Sequence, residues 1–453
     1  MGETRKLFGT DGIRGRANDF PMTPEVALQL GRAIAHIFRR SSSTRPRIVI
    51  GKDTRLSNYM FETALQAGIC SMGVDAVQLG VLPTPGIAFL TAGMRAEAGV
   101  VISASHNPYD DNGIKFFAAD GYKLPDDVER QIEELLDGPH LFEHRAHGAE
   151  IGRAYRIQDA VGRYAVFLKS TFPRQLALDG LRIVVDCANG AAYKVAPEVL
   201  YELGAEVIPL GTNPDGTNIN DGAGALHPDV MAKKVREMRA DVGIALDGDA
   251  DRVILADADG RILDGDHILL MLAQHLMNRG ALADNTVVAT VMSNLGLERA
   301  LRKVGAKMER VQVGDRYVVE RMREGGFNLG GEQSGHIVLT DFASTGDGLL
   351  AALQVLALMA STKRPLAELA QGLEHVPQVL EGVRVARKPP LETLPTVVAA
   401  IEAAQLAVGD GRVLVRYSGT EKKCRVMLEG DDLAVLRTHA DLIGDALKRE
   451  IGA

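Results

Sequence analysis

Short apolar runs ending in glycine or asparagine alternate with helix-patterned stretches along most of this chain. Arg47 to Ile50 reads as a strand that ends in Gly51-Lys52-Asp53-Thr54-Arg55, and Ser57 to Ala67 follows with helical spacing. Comparable strand–helix units begin at Leu181 (LRIVVDCANG) and Asn285 (NTVVATVMSNLG). Upstream, Thr23 is an N-cap, Pro24 takes the first helical position, and Val26 to Phe38 keeps the helical period. Buried strands separated by helices require parallel sheets covered on both faces. Binding loops then collect at the carboxyl edges of those sheets. The expected fold class is α/β: three similar domains with mixed or parallel sheets, then a smaller α+β C-terminal domain. Leu391 to Ala404 looks helical, Arg412 to Val415 and Arg425 to Glu429 look like strands, and Leu433 to Leu447 looks helical. Boundaries are expected near Asp159 to Tyr164, Gly260 to Asp266 and Pro377 to Arg387, with Arg387-Lys388-Pro389-Pro390 as a linker. The domains are then residues 1–160, 161–260, 261–376 and 377–453.

A chain of 453 residues exceeds what one core normally holds. Its net charge of −8 argues against a nucleic-acid partner but leaves room for a local basic pocket that binds phosphate. Cys70, Cys187 and Cys424 are odd in number and far apart, which suggests reduced thiols and a cytoplasmic protein. MGETRKLFGTDG has no apolar segment of the signal-peptide kind. The longest apolar tract, Leu349 to Ala360, is too short for a membrane span.

Four constellations carry chemistry. In GVVISASHNPYDDNGIKFF (Gly99 to Phe117), the buried strand Val100-Val101-Ile102 stops at Ser103-Ala104-Ser105-His106-Asn107-Pro108. A serine beside an imidazole at a strand end suits a covalent nucleophile, although the same residues are also ordinary turn chemistry. Asn112-Gly113 is predicted to turn, with Lys115 as a cation beyond it. Next, Asp247, Asp249 and Asp251 alternate with small residues after the apolar Val242 to Leu246. Carboxylates so close repel unless they share a cation, and hard oxygen ligands suit Mg²⁺ or Mn²⁺; a solvated acidic turn is the alternative, which the buried-looking strand before it disfavours. An EF-hand is excluded, because its glycine and glutamate positions hold Arg252 and Ala258. Third, Gly330-Gly331-Glu332-Gln333-Ser334-Gly335-His336 offers groups for sugar hydroxyls, or a glycine-rich polar turn. Fourth, Arg416-Tyr417-Ser418-Gly419-Thr420-Glu421, continuing to Arg425, combines two arginines, two hydroxyls and a glycine. That set suits a phosphate dianion, with backbone N–H groups as further donors, although a surface turn between strands would read the same way.

Together and in this order, the four segments resemble the α-D-phosphohexomutases. The second serine of S-A-S-H-N-P carries phosphate in that family, so the resemblance makes Ser105 the phosphoserine. The family's metal loop is D-G-D-G-D-R, and this chain departs from it once, at Ala250. Alanine is tolerable there unless the position needs positive φ. The phosphate loop R-x-S-G-T-E-P-x-x-R has Lys422 in place of proline. Phe8 to Gly15 (FGTDGIRG), Gly314 to Tyr317 and Ser344 to Gly348 match family segments too. The resemblance implies four domains around a central cleft and one Mg²⁺ on Asp247, Asp249, Asp251 and a phosphoserine oxygen of Ser105. Arg14, His106 and Lys115 would assist the chemistry, with Lys115 or His106 moving the proton. Arg252 would hold the phosphoryl group. Glu332, Gln333, Ser334 and His336 would read the sugar, and Arg416, Ser418, Gly419, Thr420 and Arg425 would grip the distal phosphate. The N-terminal signature and the glutamine form of the sugar loop resemble the amino-sugar branch. That branch interconverts glucosamine 6-phosphate and glucosamine 1-phosphate through glucosamine 1,6-bisphosphate, on the route to UDP-N-acetylglucosamine. The expected partners are a small sugar phosphate and a second copy of the chain in a homodimer, with no nucleic acid and no membrane. Two rivals stand beside this reading: a mutase for neutral sugars, and a phosphomonoesterase that admits water to the phosphoserine.

Overall fold

The computed structural model describes residues 7–9, 11–39, 45–138, 141, 144–418 and 422–452. The first segment runs β1 (Ile13–Arg16), α1 (Pro24–Phe38), β2 (Arg47–Lys52), α2 (Asn58–Ser71), β3 (Asp75–Val81), α3 (Thr84–Gly93), β4 (Ala98–Ile102), β5 (Asp111–Ala118), α4 (Asp126–Asp137) and β6 (Ala154–Arg156). Its sheet has the order β1-β5-β4-β2-β3-β6. Strands β4, β2, β3 and β6 are parallel, while β5 and β1 add antiparallel pairings at one side. Thr23 caps α1 as expected, its hydroxyl accepting from the Val26 N–H at 3.4 Å.

The second segment follows α5 (Ala160–Thr171) with β7 (Arg182–Asp186), α6 (Val195–Glu202), β8 (Glu206–Leu210), α7 (Pro228–Met238), β9 (Val242–Leu246), β10 (Val253–Ala256) and β11 (Ile262–Leu263). The order is β11-β10-β9-β7-β8. The third holds α8 (Gly265–Asn278), β12 (Thr286–Thr290), α9 (Leu295–Lys303), β13 (Lys307–Val311), α10 (Asp315–Gly325), β14 (Leu329–Gly331), β15 (Ile337–Leu339), α11 (Gly348–Thr362) and α12 (Leu366–Leu369), with the sheet order β13-β12-β14-β15. Last come β16 (Gln378–Arg384), α13 (Pro395–Val408), β17 (Arg412–Tyr417), β18 (Lys423–Glu429) and α14 (Leu433–Ile451), an antiparallel sheet β16-β18-β17 with two helices. The chain therefore adopts the expected class, three α/β segments and a C-terminal α+β segment. Among the described residues no helix is long and apolar enough to cross a membrane.

The chain forms two compact units. One comprises Met1–Met292 and Ala306–Gln371, the other Ser293–Gly305 and Gly372–Ala453. In the second unit, Asn294 ties α9 to the segment before β16. Its side-chain oxygen accepts from Gly296 N at 2.8 Å and Val376 N at 2.9 Å, and its amide donates to Val376 O at 3.0 Å. The core of this unit is Val383, Val397, Val426, Leu436, Ile443 and Leu447.

Two local expectations need correction. Asn112-Gly113 is not a turn but lies inside β5, between β4 and β1. The Asn112 amide donates to Ser57 Oγ and Asn58 Oδ1, both at 2.7 Å, so strand pairing and a buried polar network override turn propensity. The helix expected from Leu391 starts only at Pro395. Proline has no N–H to donate and is favoured in the first helical turn.

Helices α1 and α2 pack through glycine. A Cβ on Gly31 would sit 2.4 Å from the Leu65 carbonyl, and one on Gly68 would sit 2.2 Å from the Leu28 carbonyl. This contact lets Leu30, Ile34, Phe61, Leu65 and Ile69 form one buried cluster. Alanine is the better helix former by about 1 kcal/mol. The clash is with backbone, which cannot swing away. Gly68→Ala is therefore expected to destabilise the protein by about 1–3 kcal/mol, the usual cost of overpacking. Urea unfolding measures this, and a raised midpoint would contradict the packing argument.

Candidate active site

Each of the first three sheets sends a loop to one place. The nucleophile loop leaves β4, the carboxylate loop joins β9 to β10, and the Glu332 turn joins β14 to β15. Ser105 is 1% exposed, and its hydroxyl donates to Asp247 Oδ2 at 2.7 Å. Its backbone is left-handed, with φ of 51°. A non-glycine residue reaches that region at a cost of roughly 1–2 kcal/mol. Ser103 Oγ, two residues back, accepts from the Ser105 N–H at 2.9 Å. A Cβ on Gly248 would lie 2.6 Å from the Ser105 carbonyl, so glycine allows the carboxylate loop to touch the nucleophile loop.

Asp247, Asp249 and Asp251 are all buried, with ligand oxygens within 4.8 Å of one another. Asp249 Oδ1 and Asp251 Oδ1 have no hydrogen-bond partner among the described residues. Buried carboxylate oxygens without donors are the arrangement a divalent cation satisfies. Asp249 Oδ2 accepts from Thr84 Oγ1 at 2.7 Å and meets Lys115 Nζ at 3.1 Å. Lys115 also pairs with Asp11 Oδ2 at 3.0 Å. Burial opposes its charge, but Asp11, Asp249 and Asp251 outweigh burial and keep it an ammonium. Burial, then the charges of Asp251 and Asp249, pushes Asp247 well above the usual carboxylate range. Asp251 goes the other way: burial would raise it, but His336, Lys115 and Arg252 hold it below that range. Ala250 has φ of 58°, so the one departure from the glycine pattern carries the positive φ that glycine adopts freely.

His106 is lowered to about 4, first by burial and then by Arg252 and Arg14. It is neutral at pH 7. Arg252 Nη1 lies 2.6 Å from His106 Nδ1. Arginine only donates, so Nδ1 accepts and the ring proton is assigned to Nε2. Arg14 pairs with Asp11. His336 sits between two carboxylates, Nδ1 at 3.6 Å from Asp251 and Nε2 at 3.8 Å from Asp315. Burial lowers its basicity, but those carboxylates raise it further than burial lowers it. Glu332 Oε1 accepts from Gly314 N at 3.1 Å, and Oε2 accepts from Ser334 Oγ at 3.2 Å. Gln333 is half-buried and Ser334 exposed.

The C-terminal loop belongs to the second unit. Arg416 and Arg425 face each other across β17 and β18. Burial and then the Arg425 charge lower Arg416 below the usual arginine value. Like charges placed opposite on a sheet repel, and an anion removes that penalty. Ser418 is buried at the end of β17, its N–H donating to the Lys423 carbonyl at 2.9 Å. Gly419, Thr420 and Glu421 lie outside the described residues.

Several site residues have no role assigned from sequence. Lys123 pairs with both Asp11 and Asp315 and so joins the first and third segments. Asp315 stands in the Gly314–Tyr317 segment noted above, and its contacts come from residues distant in sequence. Asp347, of Ser344 to Gly348, accepts from the Tyr164 hydroxyl at 2.7 Å and caps α11 through Leu350 N at 2.9 Å. Burial pushes its carboxyl up to about 6. The adjoining Gly348 N–H donates to the Ala250 carbonyl at 3.0 Å, which props the carboxylate loop from behind.

Comparison with known proteins agrees with this arrangement. Four models of the phosphoglucomutase/phosphomannomutase family match the chain: α/β/α domain I over residues 5–140, domain II over 163–260, domain III over 264–376 and the C-terminal domain over 380–445. A phosphoglucosamine mutase of Syntrophotalea carbinolica is 58% identical over 449 residues, covering 99% of this chain and 98% of the relative. One from an Anaeromyxobacter species is 60% identical, covering 99% and 96%. A phosphoglucomutase/phosphomannomutase family protein of Burkholderia thailandensis superposes with a TM-score of 0.78 at 25% identity, covering 97% of each chain. The N-acetylphosphoglucosamine mutase of Aspergillus fumigatus, solved with GlcNAc-6P and magnesium, shares the fold with a TM-score of 0.67 at 18% identity, covering 98% of this chain and 96% of that one.

The buried triad is expected to bind one divalent cation per chain. Titration with Mn²⁺, followed by electron paramagnetic resonance, should show one tight site. Asp249→Ala should weaken it by at least roughly tenfold to hundredfold, the loss that follows when only a hydrogen-bond partner of a metal ligand is removed. Unchanged Mn²⁺ affinity in that variant would contradict the assignment.

Proposed function

The chain belongs to the phosphoglucomutase/phosphomannomutase family, and we propose that it interconverts glucosamine 6-phosphate and glucosamine 1-phosphate through a phosphoserine and glucosamine 1,6-bisphosphate. It is an isomerase, an intramolecular phosphotransferase, whose product supplies UDP-N-acetylglucosamine synthesis in the cytoplasm. One observation carries the chemistry: the Ser105 hydroxyl is hydrogen-bonded to the buried carboxylate triad, at 2.7 Å from Asp247. The choice of an amino sugar rests on the 58–60% identity to phosphoglucosamine mutases along almost the whole chain.

Phosphoryl transfer needs in-line placement and neutralised charge more than it needs covalent chemistry. Ser105, held in one backbone conformation, presents its phosphoryl group to the sugar and later takes the other one back. Asp247, Asp249 and Asp251 are the proposed ligands of Mg²⁺, which when bound supplies Lewis-acid stabilisation of the transferring group. Lys115 remains an ammonium because Asp11, Asp249 and Asp251 outweigh its burial, so it serves as a fixed cation and hydrogen-bond donor over the phosphoryl oxygens rather than as a resting base. Arg252 and Arg14 add charge on the same side. His106 offers its Nε2–H as a hydrogen-bond donor while Arg252 occupies Nδ1. Glu332 and Ser334, with Gln333 and His336, bind the sugar. A carboxylate there attracts the 2-ammonium of glucosamine, whereas a neutral sugar gains no charge interaction. Arg416, Ser418, Gly419, Thr420 and Arg425 hold the phosphate that is not reacting.

The discriminating experiment is a coupled assay with glucosamine 1-phosphate beside glucose 1-phosphate, with inorganic phosphate measured in parallel. The expected result is isomerisation with a higher kcat/KM for the amino sugar and little phosphate release. A preference for glucose 1-phosphate would favour the neutral-sugar reading, and phosphate release without isomerisation would favour a hydrolase.

The arginine pair makes a separate expectation. Arg416→Ala should raise KM for the monophosphate by roughly tenfold or more, as expected for a lost charge-assisted contact. It should also increase the bisphosphate found free in solution during turnover, while Ser105 remains phosphorylatable. Wild-type KM with no added release would mean that this loop does not clamp phosphate.

A further inference from the structure

Behind the nucleophile loop lies a fully buried arginine with no part in the chemistry described so far. Arg55 is 0% exposed and follows the end of β2. All five of its N–H donors are engaged. Nη2 donates to the carbonyls of Ser105 at 3.0 Å and Asn107 at 2.8 Å. Nη1 donates to the carbonyls of Pro108 and, at 3.1 Å, of Asp111. Nε donates to Asp53 Oδ2 at 2.9 Å. One planar fork therefore spans the loop from the nucleophile to the first residue of β5.

Asp53 extends the same device. Its Oδ2 also accepts from Ser103 Oγ at 2.6 Å, and that hydroxyl oxygen accepts from the Ser105 N–H at 2.9 Å. Asp53 Oδ1 is itself fixed by the Arg55 N–H at 2.9 Å and the Asn58 amide at 2.7 Å. Both peptide groups of Ser105 are thus held: the N–H through Ser103 and Asp53, the carbonyl by Arg55. From the second segment the Asn220 amide donates to the same two carbonyls, Ser105 at 2.9 Å and Asn107 at 3.1 Å. Strained backbone persists only where its surroundings over-determine it, and here they do.

We propose that Arg55 is a positioning residue for phosphoryl transfer. With Asp53 and Ser103 it locks Ser105 in its left-handed conformation and so aims the Oγ–phosphorus axis at the sugar hydroxyl. Lysine cannot replace it, because an ammonium cannot reach four carbonyls and a carboxylate in one plane. The pair with Asp53 also keeps the buried charge neutral beside a phosphoserine that gains and loses phosphate. Relaxation of the loop by about 1 Å leaves substrate binding intact but spoils the in-line angle, and misplacement of that size can cost about a hundredfold in rate.

The proposal rests on Ser105 as the phosphoryl carrier. The test uses full-length wild type, Arg55→Lys and the milder Ser103→Ala, each loaded with phosphate from glucosamine 1,6-bisphosphate. Rapid quench then gives the single-turnover rate of transfer to glucosamine 1-phosphate per mole of phosphoserine. The expected result is transfer slowed roughly tenfold to hundredfold in Arg55→Lys, and by a smaller factor in Ser103→Ala. KM should stay within about twofold in both, since the sugar and phosphate contacts are elsewhere. Normalising to phosphoserine removes any loss of folded protein from the rate. Transfer at the wild-type rate in both variants would overturn the proposal, and so would a KM that rises in step with the loss of rate. Phosphate mapped away from Ser105 in wild type would instead sink the underlying reading.

Discussion

Three carboxylates confined to the turn after β9, with oxygens within 4.8 Å of one another and closed off from water, set the terms for the rest of the site. At about 4 Å and a protein-like dielectric, each like-charged pair costs about 4 kcal/mol. Their sum is comparable with the whole stability of a folded domain. Ionised without compensation, they would unfold the loop. The chain answers with Lys115, Arg252 and a His336 made more basic by its neighbours. It leaves one oxygen on each of Asp249 and Asp251 for a further cation. Buried ion pairs add little net stability once desolvation is counted. Their value here is position, because fixed cations held close to Ser105 are what a transferring phosphoryl group needs.

The same crowding explains the strained backbone. Ser105 and Ala250 both have left-handed φ, and the two loops meet where Gly248 rests on the Ser105 carbonyl. Arg55 and Asn220 hold the first loop from two sides, and Gly348 holds the second through the Ala250 carbonyl. Strain distributed in this way costs stability but removes alternatives. A nucleophile that must donate phosphate and then recover it in the same geometry gains from having one conformation rather than several.

Much of this is legible in the chain. Ser105 and the three aspartates follow short apolar runs that end abruptly, and such runs become β4 and β9. The strand period gives the loop its place, and the density of carboxylates gives its chemistry. What the sequence hides is long-range pairing. Asp11, Lys123 and Asp315 are single charges in unremarkable surroundings until folding joins residues more than a hundred positions apart. Arg55 lies in a Gly-Lys-Asp-Thr-Arg run that reads only as a strand end; a charged cluster directly after a buried strand is the available signal. Asn112-Gly113 misleads because turn propensity is local whereas the sheet that overrides it is not. Pro395 marks a helix start that apolar periodicity alone puts too early.

The account stands on Ser105 as the group that carries phosphate between substrate molecules. The most direct measurement loads the enzyme with radiolabelled glucosamine 1,6-bisphosphate, maps the label by peptide mass spectrometry, and chases it with unlabelled glucosamine 1-phosphate. The label should sit on Ser105 alone and return to the sugar as bisphosphate at a rate no slower than turnover. Label on another residue, or label lost to water as inorganic phosphate during the chase, would contradict it.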